Sequence, residues 1–175
     1  MSEFDDNEQV VGGGLFDDPA PAKRRRPEAT PKQRALGLLV RREHSRKELT
    51  RKLVAKGVSR EDAGQAVEYM REHGWQDDAR YVDMLLHNRA GQGYGPLHIR
   101  AELKLQGIDA ELIAQHFEAF QDDWRQIARD LVRRRFGEQG PQDPASHRKA
   151  AELLARRGFD RDCIRAATEF DPDEV

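Results

Sequence analysis

The chain has 175 residues, 35% of them charged and 37% hydrophobic, and its 30 basic and 32 acidic side chains leave a net charge of -2. The single cysteine excludes an intrachain disulfide framework and a cysteine-based zinc site, and it suits a reducing cytoplasm. No stretch approaches the roughly 18 apolar residues of a membrane span, and the acidic start Met1 to Val10 does not read as a signal peptide, so a soluble, cytoplasmic protein is expected.

Residues 1–29 read as a disordered acidic and basic tail. Gly12-Gly13-Gly14, then Pro19, Pro21 and Pro27, surround the basic run Lys23-Arg24-Arg25-Arg26, and nothing there offers an apolar face to bury. From Thr30 the pattern turns helical. Thr30 as N-cap, Pro31 at the first helical position and Gln33 at the third open a helix expected over Pro31 to Glu43, with Leu36, Leu39 and Val40 on one stripe. Ser45-Arg46-Lys47-Glu48 is a second capping box and opens a helix with Leu49 and Leu53 inward. Gly57 ends it, because glycine adopts positive φ without steric cost. Ser59 caps a third helix with Ala63, Ala66, Val67 and Met70 on its apolar face.

This unit recurs. Leu49, Leu53, Gly57 and Val58 have counterparts in Ile99, Leu103, Gly107 and Ile108, and again in Ala150, Leu154, Gly158 and Phe159. The helix that follows repeats as Ile113, His116, Phe117 and Phe120, then Ile164, Ala167 and Thr168. First helices of the later units are expected over Asp77 to Arg89 and Asp122 to Phe136. No alternating pattern marks a strand, so the expected fold is all-α: three tandem three-helix, helix-turn-helix-like repeats in an elongated array, over 30–75, 76–120 and 121–170, with an acidic tail at 171–175. One such unit buries little surface alone, so neighbours are expected to stack. Charge divides unevenly. The first repeat holds 11 basic and 6 acidic residues, the second 4 and 7, the third 11 and 9, so the array presents alternating potential along its length.

No catalytic constellation emerges. The six histidines show no zinc-binding spacing; His116 falls on an inward stripe and reads as the core histidine, the others as surface positions. Cys163 lacks a neighbouring base and reads as packing. Asp77-Asp78 and Asp122-Asp123 fit helix capping better than metal binding. Gly91-Gln92-Gly93-Tyr94-Gly95-Pro96 lacks the ending of a phosphate-binding loop and reads as a flexible interhelical loop with Tyr94 at its tip. No cofactor and no metal are expected. What remains is a basic surface: Arg41, Arg42, Arg46, Lys47, Arg51, Lys52 and Lys56, mostly pointing to solvent with few acids nearby, suited to phosphate or an acidic protein partner. A base-reading helix-turn-helix fits less well, because Glu61, Asp62, Glu68 and Glu72 on the third helix would repel DNA.

The stretch Ala35-Leu36-Gly37-Leu38-Leu39-Val40-Arg41-Arg42-Glu43-His44-Ser45-Arg46-Lys47-Glu48-Leu49, followed by Lys52-Leu53 and Gly57, resembles the opening of the RecX family of recombination regulators. The likeness continues through Asp77-Asp78-Ala79-Arg80-Tyr81, through Gly93-Tyr94-Gly95-Pro96 with Ile99, Leu103 and Gly107-Ile108, and through Leu153-Leu154-Ala155-Arg156-Arg157-Gly158-Phe159. It spans about residues 31–170 and leaves out the extension before Thr30. The resemblance implies a non-enzymatic negative modulator of RecA: an array that binds the RecA–DNA filament along its groove, inhibits strand exchange and ATP hydrolysis, and favours filament disassembly. On this expectation the partner is the RecA nucleoprotein filament, with weak direct DNA binding, no membrane and a monomeric chain. Arg42, Arg46, Lys47, Arg51 and Lys52 are the candidate electrostatic contacts and Tyr94 a candidate anchor. The alternative is a stand-alone helical DNA-binding protein, non-specific or transcriptional.

Overall fold

The computed structural model describes residues 28–168. The expected tails, with the basic run Lys23 to Arg26, lie outside the described residues apart from Glu28 and Ala29. Among the described residues there are nine helices and no strand. The first unit comprises α1 (Pro31–Leu39), α2 (Arg46–Ala55) and α3 (Arg60–Glu72). The second comprises α4 (Asp78–Gly91), α5 (Pro96–Leu105) and α6 (Ala110–Ala119), and the third α7 (Trp124–Phe136), α8 (Pro144–Arg156) and α9 (Arg161–Thr168).

The repeat rests on one backbone device used three times. After α2, the Gly57 amide donates to Val54 O at 2.9 Å and the Val58 amide to Leu53 O at 3.2 Å. After α5 and α8, Gly107 with Ile108 and Gly158 with Phe159 make the same pair of bonds. Closing a helix this way requires a left-handed residue, and Gly57, Gly107 and Gly158 have φ of 83°, 77° and 82°. The next residue in each case turns back into the core, where Val58, Ile108 and Phe159 are buried with Leu53, Leu103 and Leu154.

Each unit has its own core. Ala35, Leu49, Leu53, Ala63, Ala66, Val67 and Met70 form the first, Tyr81, Val82, Leu86, Ile99, Leu103, Ile113 and Phe117 lead the second, and Ala128, Val132, Ala150, Leu154, Cys163 and Ile164 the third. Apolar burial is therefore largely internal to each unit. Trp124 is the exception, packing against both the second and third cores.

Three local expectations change. Helix α1 stops at Leu39, not Glu43, because residues 43–45 run extended to place Ser45 as the N-cap of α2, where its Oγ accepts from the Glu48 amide at 3.0 Å. Helix α4 starts one residue after Asp77 and α7 one after Asp123, the aspartates serving as N-caps. The buried histidine is His44, 2% exposed, whereas His116 is only half-buried and its Nδ1 contacts Asp83 on α4.

Candidate functional site

The units join at the same point of the repeat, the N-terminus of the middle helix. A helix start leaves amide donors without partners. At α2, Ser45 satisfies one, and Asp78 of the second unit satisfies another: its Oδ1 accepts from the Arg46 amide at 3.0 Å. Asp78 Oδ1 also accepts from Gln76 Nε2 at 2.9 Å, and the same nitrogen donates to His44 O at 3.2 Å. Lys47 Nζ reaches Leu105 O at 2.9 Å and Arg80 Nε reaches Glu43 Oε1 at 2.8 Å, both across the junction. At α5 the N-cap is Gly95, which has no side chain to offer. There the third unit supplies carbonyls instead: the Gly95 amide donates to Arg157 O at 2.8 Å and the Leu97 amide to Gly158 O at 3.0 Å. Helix α8 closes its own start with a capping box from Asp143 and Ser146. Among the described residues, no hydrogen bond or ion pair joins the first unit to the third, so the units follow one another in line.

The first junction leaves a cleft of about 670 Å³, lined by Arg46, Lys47, Arg51, Val54, Arg60 and Gly64 together with Glu68, Asp78 and Gly107. Three of the sequence-derived candidates, Arg46, Lys47 and Arg51, therefore meet on one face of α2. Arg60, at the start of α3, joins them and was not singled out from the sequence. Arg46 pairs with Glu68 at 3.3 Å, but Arg51 and Arg60 make no side-chain hydrogen bond or ion pair among the described residues.

Lys52, on another face of α2, and Arg42, in the connection before α2, converge on Glu48. This carboxylate is buried, bonded to Arg42 Nη1 at 3.2 Å and paired with Lys52 Nζ at 3.3 Å, while His44 Nδ1 sits 2.9 Å from Oε2 with its N–H turned off that line. The expectation of a cluster with few acids nearby thus fails for this half. Burial alone would raise the Glu48 carboxyl, but the hydrogen bonds from Arg42, with His44 close by, outweigh it and hold the group at about 2. Burial pushes the His44 imidazole below its ordinary value, against the pull of Glu48, so it stays neutral near pH 7. Tyr81, buried beside this network and between Glu48 and Glu102, is pushed up to about 12. Its neighbour Glu102 is lowered by a two-pronged bond from Arg89, at 2.8 and 2.7 Å.

Tyr94 does not tip a free loop. Gly93, with φ of 77°, closes α4, and the Tyr94 amide donates to Arg89 O at 3.0 Å. The half-buried ring stacks on His98 at 4.4 Å and lies 4.4 Å from the Arg157 guanidinium of the third unit. It belongs to the second junction. Cys163 is buried, and burial pushes its thiol up to about 12, which removes it as a nucleophile. Among the described residues no group of three or more potential ligands could hold a metal ion, and no helix is long and apolar enough to cross a membrane.

A series of separately cored three-helix units, linked through helix ends and carrying a basic cleft at one link, defines a modular all-helical protein. The chain belongs to the RecX family: its models for the first, second and third three-helix domains match residues 32–78, 77–116 and 121–168. It is 62% identical over 158 residues to the regulatory protein RecX of Stenotrophomonas maltophilia (strain R551-3), covering 90% of this chain and 97% of that one. It is 60% identical over 158 residues to the regulatory protein RecX of Xanthomonas axonopodis pv. citri (strain 306), covering 90% and 98%. The crystal structure of RecX from Lactobacillus salivarius shares the fold, with a TM-score of 0.64 at 18% identity over 83% of this chain and 96% of that one. A second crystal structure of a regulatory protein RecX gives 0.66 at 19% identity, over 79% and 71%.

Proposed function

We propose that this chain is a cytoplasmic, monomeric regulator that docks lengthwise along the RecA–DNA filament and inhibits RecA's recombinase and ATPase activities, restraining recombination and the SOS response by binding alone. The observation that carries this reading is the in-line order of three separately cored units joined at equivalent helix ends. Such a chain presents successive surfaces at fixed spacing, which suits a polymer whose subunits repeat, and weak contacts then add through linked binding. Within it, Arg46, Lys47, Arg51 and Arg60 make the electrostatic contact of the first junction. Arg42 and Lys52 act beneath them by holding Glu48, and Tyr94 sets the spacing of the second and third units.

A stand-alone DNA binder is the second reading, favoured by Arg51 and Arg60, which have no partner among the described residues, and by the Arg135, Lys149 and Arg156 cluster on the third unit. Binding to fluorescent single-stranded DNA, measured with and without RecA and ATP over a range of salt, separates the two. The filament reading expects weak affinity for naked DNA and much tighter association once the filament has formed, whereas the second reading expects strong, steeply salt-dependent binding to naked DNA. Equal affinity in both cases would replace it with the second reading.

A further inference from the structure

The cleft at the first junction has an apolar floor as well as a basic rim. Val54 is 38% exposed there, Val67 lies beneath, and a Cβ placed on Gly64 would have nothing within 4 Å. Arg51 and Arg60 line the same cleft, and their guanidiniums have no carboxylate partner among the described residues, the lining carboxylates Glu68 and Asp78 being engaged by Arg46. An occupant that satisfies both offers a flat apolar group to Val54 and Gly64 and carboxylates beside it to the two arginines.

The chain carries such a segment in its own N-terminal region. Leu15-Phe16-Asp17-Asp18 sets an aromatic ring directly before two carboxylates, and Glu3-Phe4-Asp5-Asp6 repeats the arrangement. Residues 1–18 hold six acidic side chains and no basic one. The place where the described chain begins also favours this occupant. Arg34 Nε donates to Ala29 O at 2.9 Å and its Nη1 to Lys56 O at 2.9 Å, which clasps the start of the described chain to the end of α2, two residues beyond Val54. From Glu28 back to Phe16 the chain can span roughly 40 Å when extended, ample for the return, and a tether of this length gives an effective concentration on the order of millimolar.

We propose that residues 15–18 fold back into the cleft, Phe16 on Val54 and Gly64 and Asp17 and Asp18 on Arg51 and Arg60, with residues 3–6 able to take the same seat. The segment is then a built-in competitor for the basic face. This regulatory consequence rests on the filament reading above; the seating itself does not.

A nitroxide attached through Gly13→Cys in the full chain tests it, Cys163 being buried. In an isotope-labelled sample without RecA or DNA, amide signals of Arg51, Val54, Arg60 and Gly64 should broaden while those of Ala150 and Leu154 stay sharp. Adding Phe4→Ser with Phe16→Ser should restore them. Even broadening over the whole surface, no broadening, or broadening confined to the third unit overturns the proposal. So does broadening carried between molecules in a sample mixing nitroxide-bearing and isotope-labelled chains, which would make a second copy the occupant. In RecA ATPase assays, the Phe4→Ser/Phe16→Ser chain should inhibit at a concentration about threefold lower than the parent. An unchanged inhibitory concentration overturns competition by the segment. Cleft broadening in a chain that fails to inhibit RecA keeps the fold-back and overturns the filament reading alone.

Discussion

Gly95 and Gly158 meet backbone to backbone: a Cβ on Gly95 would fall 2.4 Å from Gly158 O, and a Cβ on Gly158 would fall 2.5 Å from the His98 amide nitrogen. The second and third units are held at the distance that two missing side chains allow. Gly158 serves twice, since its φ of 82° also closes α8.

Gly95→Ala should therefore separate the units while leaving their cores folded. Native-state hydrogen exchange is expected to show lost protection at the Leu97 amide, which bonds to Gly158 O, with Leu103 and Leu154 still protected. Gly37→Ala is the control: it lies in α1 with open space around it, and the helix should gain about 1 kcal/mol. Equal protection at Leu97 in parent and Gly95→Ala chains would contradict the close-approach account.

Independent cores carry a second expectation. Leu154→Ala empties a fully buried position of the third core, at a cost of about 2–5 kcal/mol. Because the link to the second unit is backbone bonding, one shared tryptophan and the Tyr94–Arg157 contact, the loss should stay local. Exchange should accelerate in α7 to α9 and remain slow at Leu49, Leu53, Ile99 and Leu103. Acceleration of all three units together would mean one cooperative fold.

The Glu48 network makes the first junction acid-sensitive. Its carboxyl is held at about 2 in the folded chain against an ordinary 4.5, so its stabilisation is complete above about 4.5 and drains as pH falls towards 2. A shift of that size corresponds to roughly 3 kcal/mol at neutral pH. His44 is also lowered from 6.5, so its contribution is present above 6.5 and starts to drain as pH falls below that value. Both groups act in the same direction. Thermal melts from pH 7 to pH 3 should show a falling midpoint, and Glu48→Gln should lower the midpoint at pH 7 and flatten the lower part of that dependence. An unchanged slope in Glu48→Gln would remove Glu48 as the cause.

The cleft arginines and the Glu48 network should separate in function. Arg51→Glu with Arg60→Glu alters exposed side chains that have no partner among the described residues, so stability should change by less than about 0.5 kcal/mol, yet RecA inhibition should weaken at least tenfold. Arg42→Ala should instead destabilise the chain by leaving Glu48 short of a donor. Charge reversal at Arg46, Lys47 and Arg51 that leaves inhibition unchanged would discard the cleft as the contact.

The repeat was legible because its signals are local. Leucine spacing, the closing glycine and the apolar residue after it lie within ten residues of one another, and all three copies fold as that spacing requires. What the sequence hid depends on distant partners. Asp78 reads as a cap for its own helix, but its acceptor oxygen serves the start of α2, 32 residues earlier. Arg41 to Glu43 are compatible with a longer α1, and only the placement of Ser45 and His44 against the second unit stops it. Tyr94 and Gly95 read as a loop tip because the carbonyls that clamp Gly95 and Leu97, and the guanidinium beside the Tyr94 ring, lie at the end of α8. Arg60 sits among acids at the start of α3, so nothing nearby marked it as part of the cleft.

The most direct test of the filament reading is a titration of RecA's DNA-dependent ATP hydrolysis and strand exchange with this chain. Inhibition of both, at chain concentrations well below that of RecA and lost with Arg51→Glu and Arg60→Glu, is the expected result. Unaltered RecA activity at equimolar chain would contradict it.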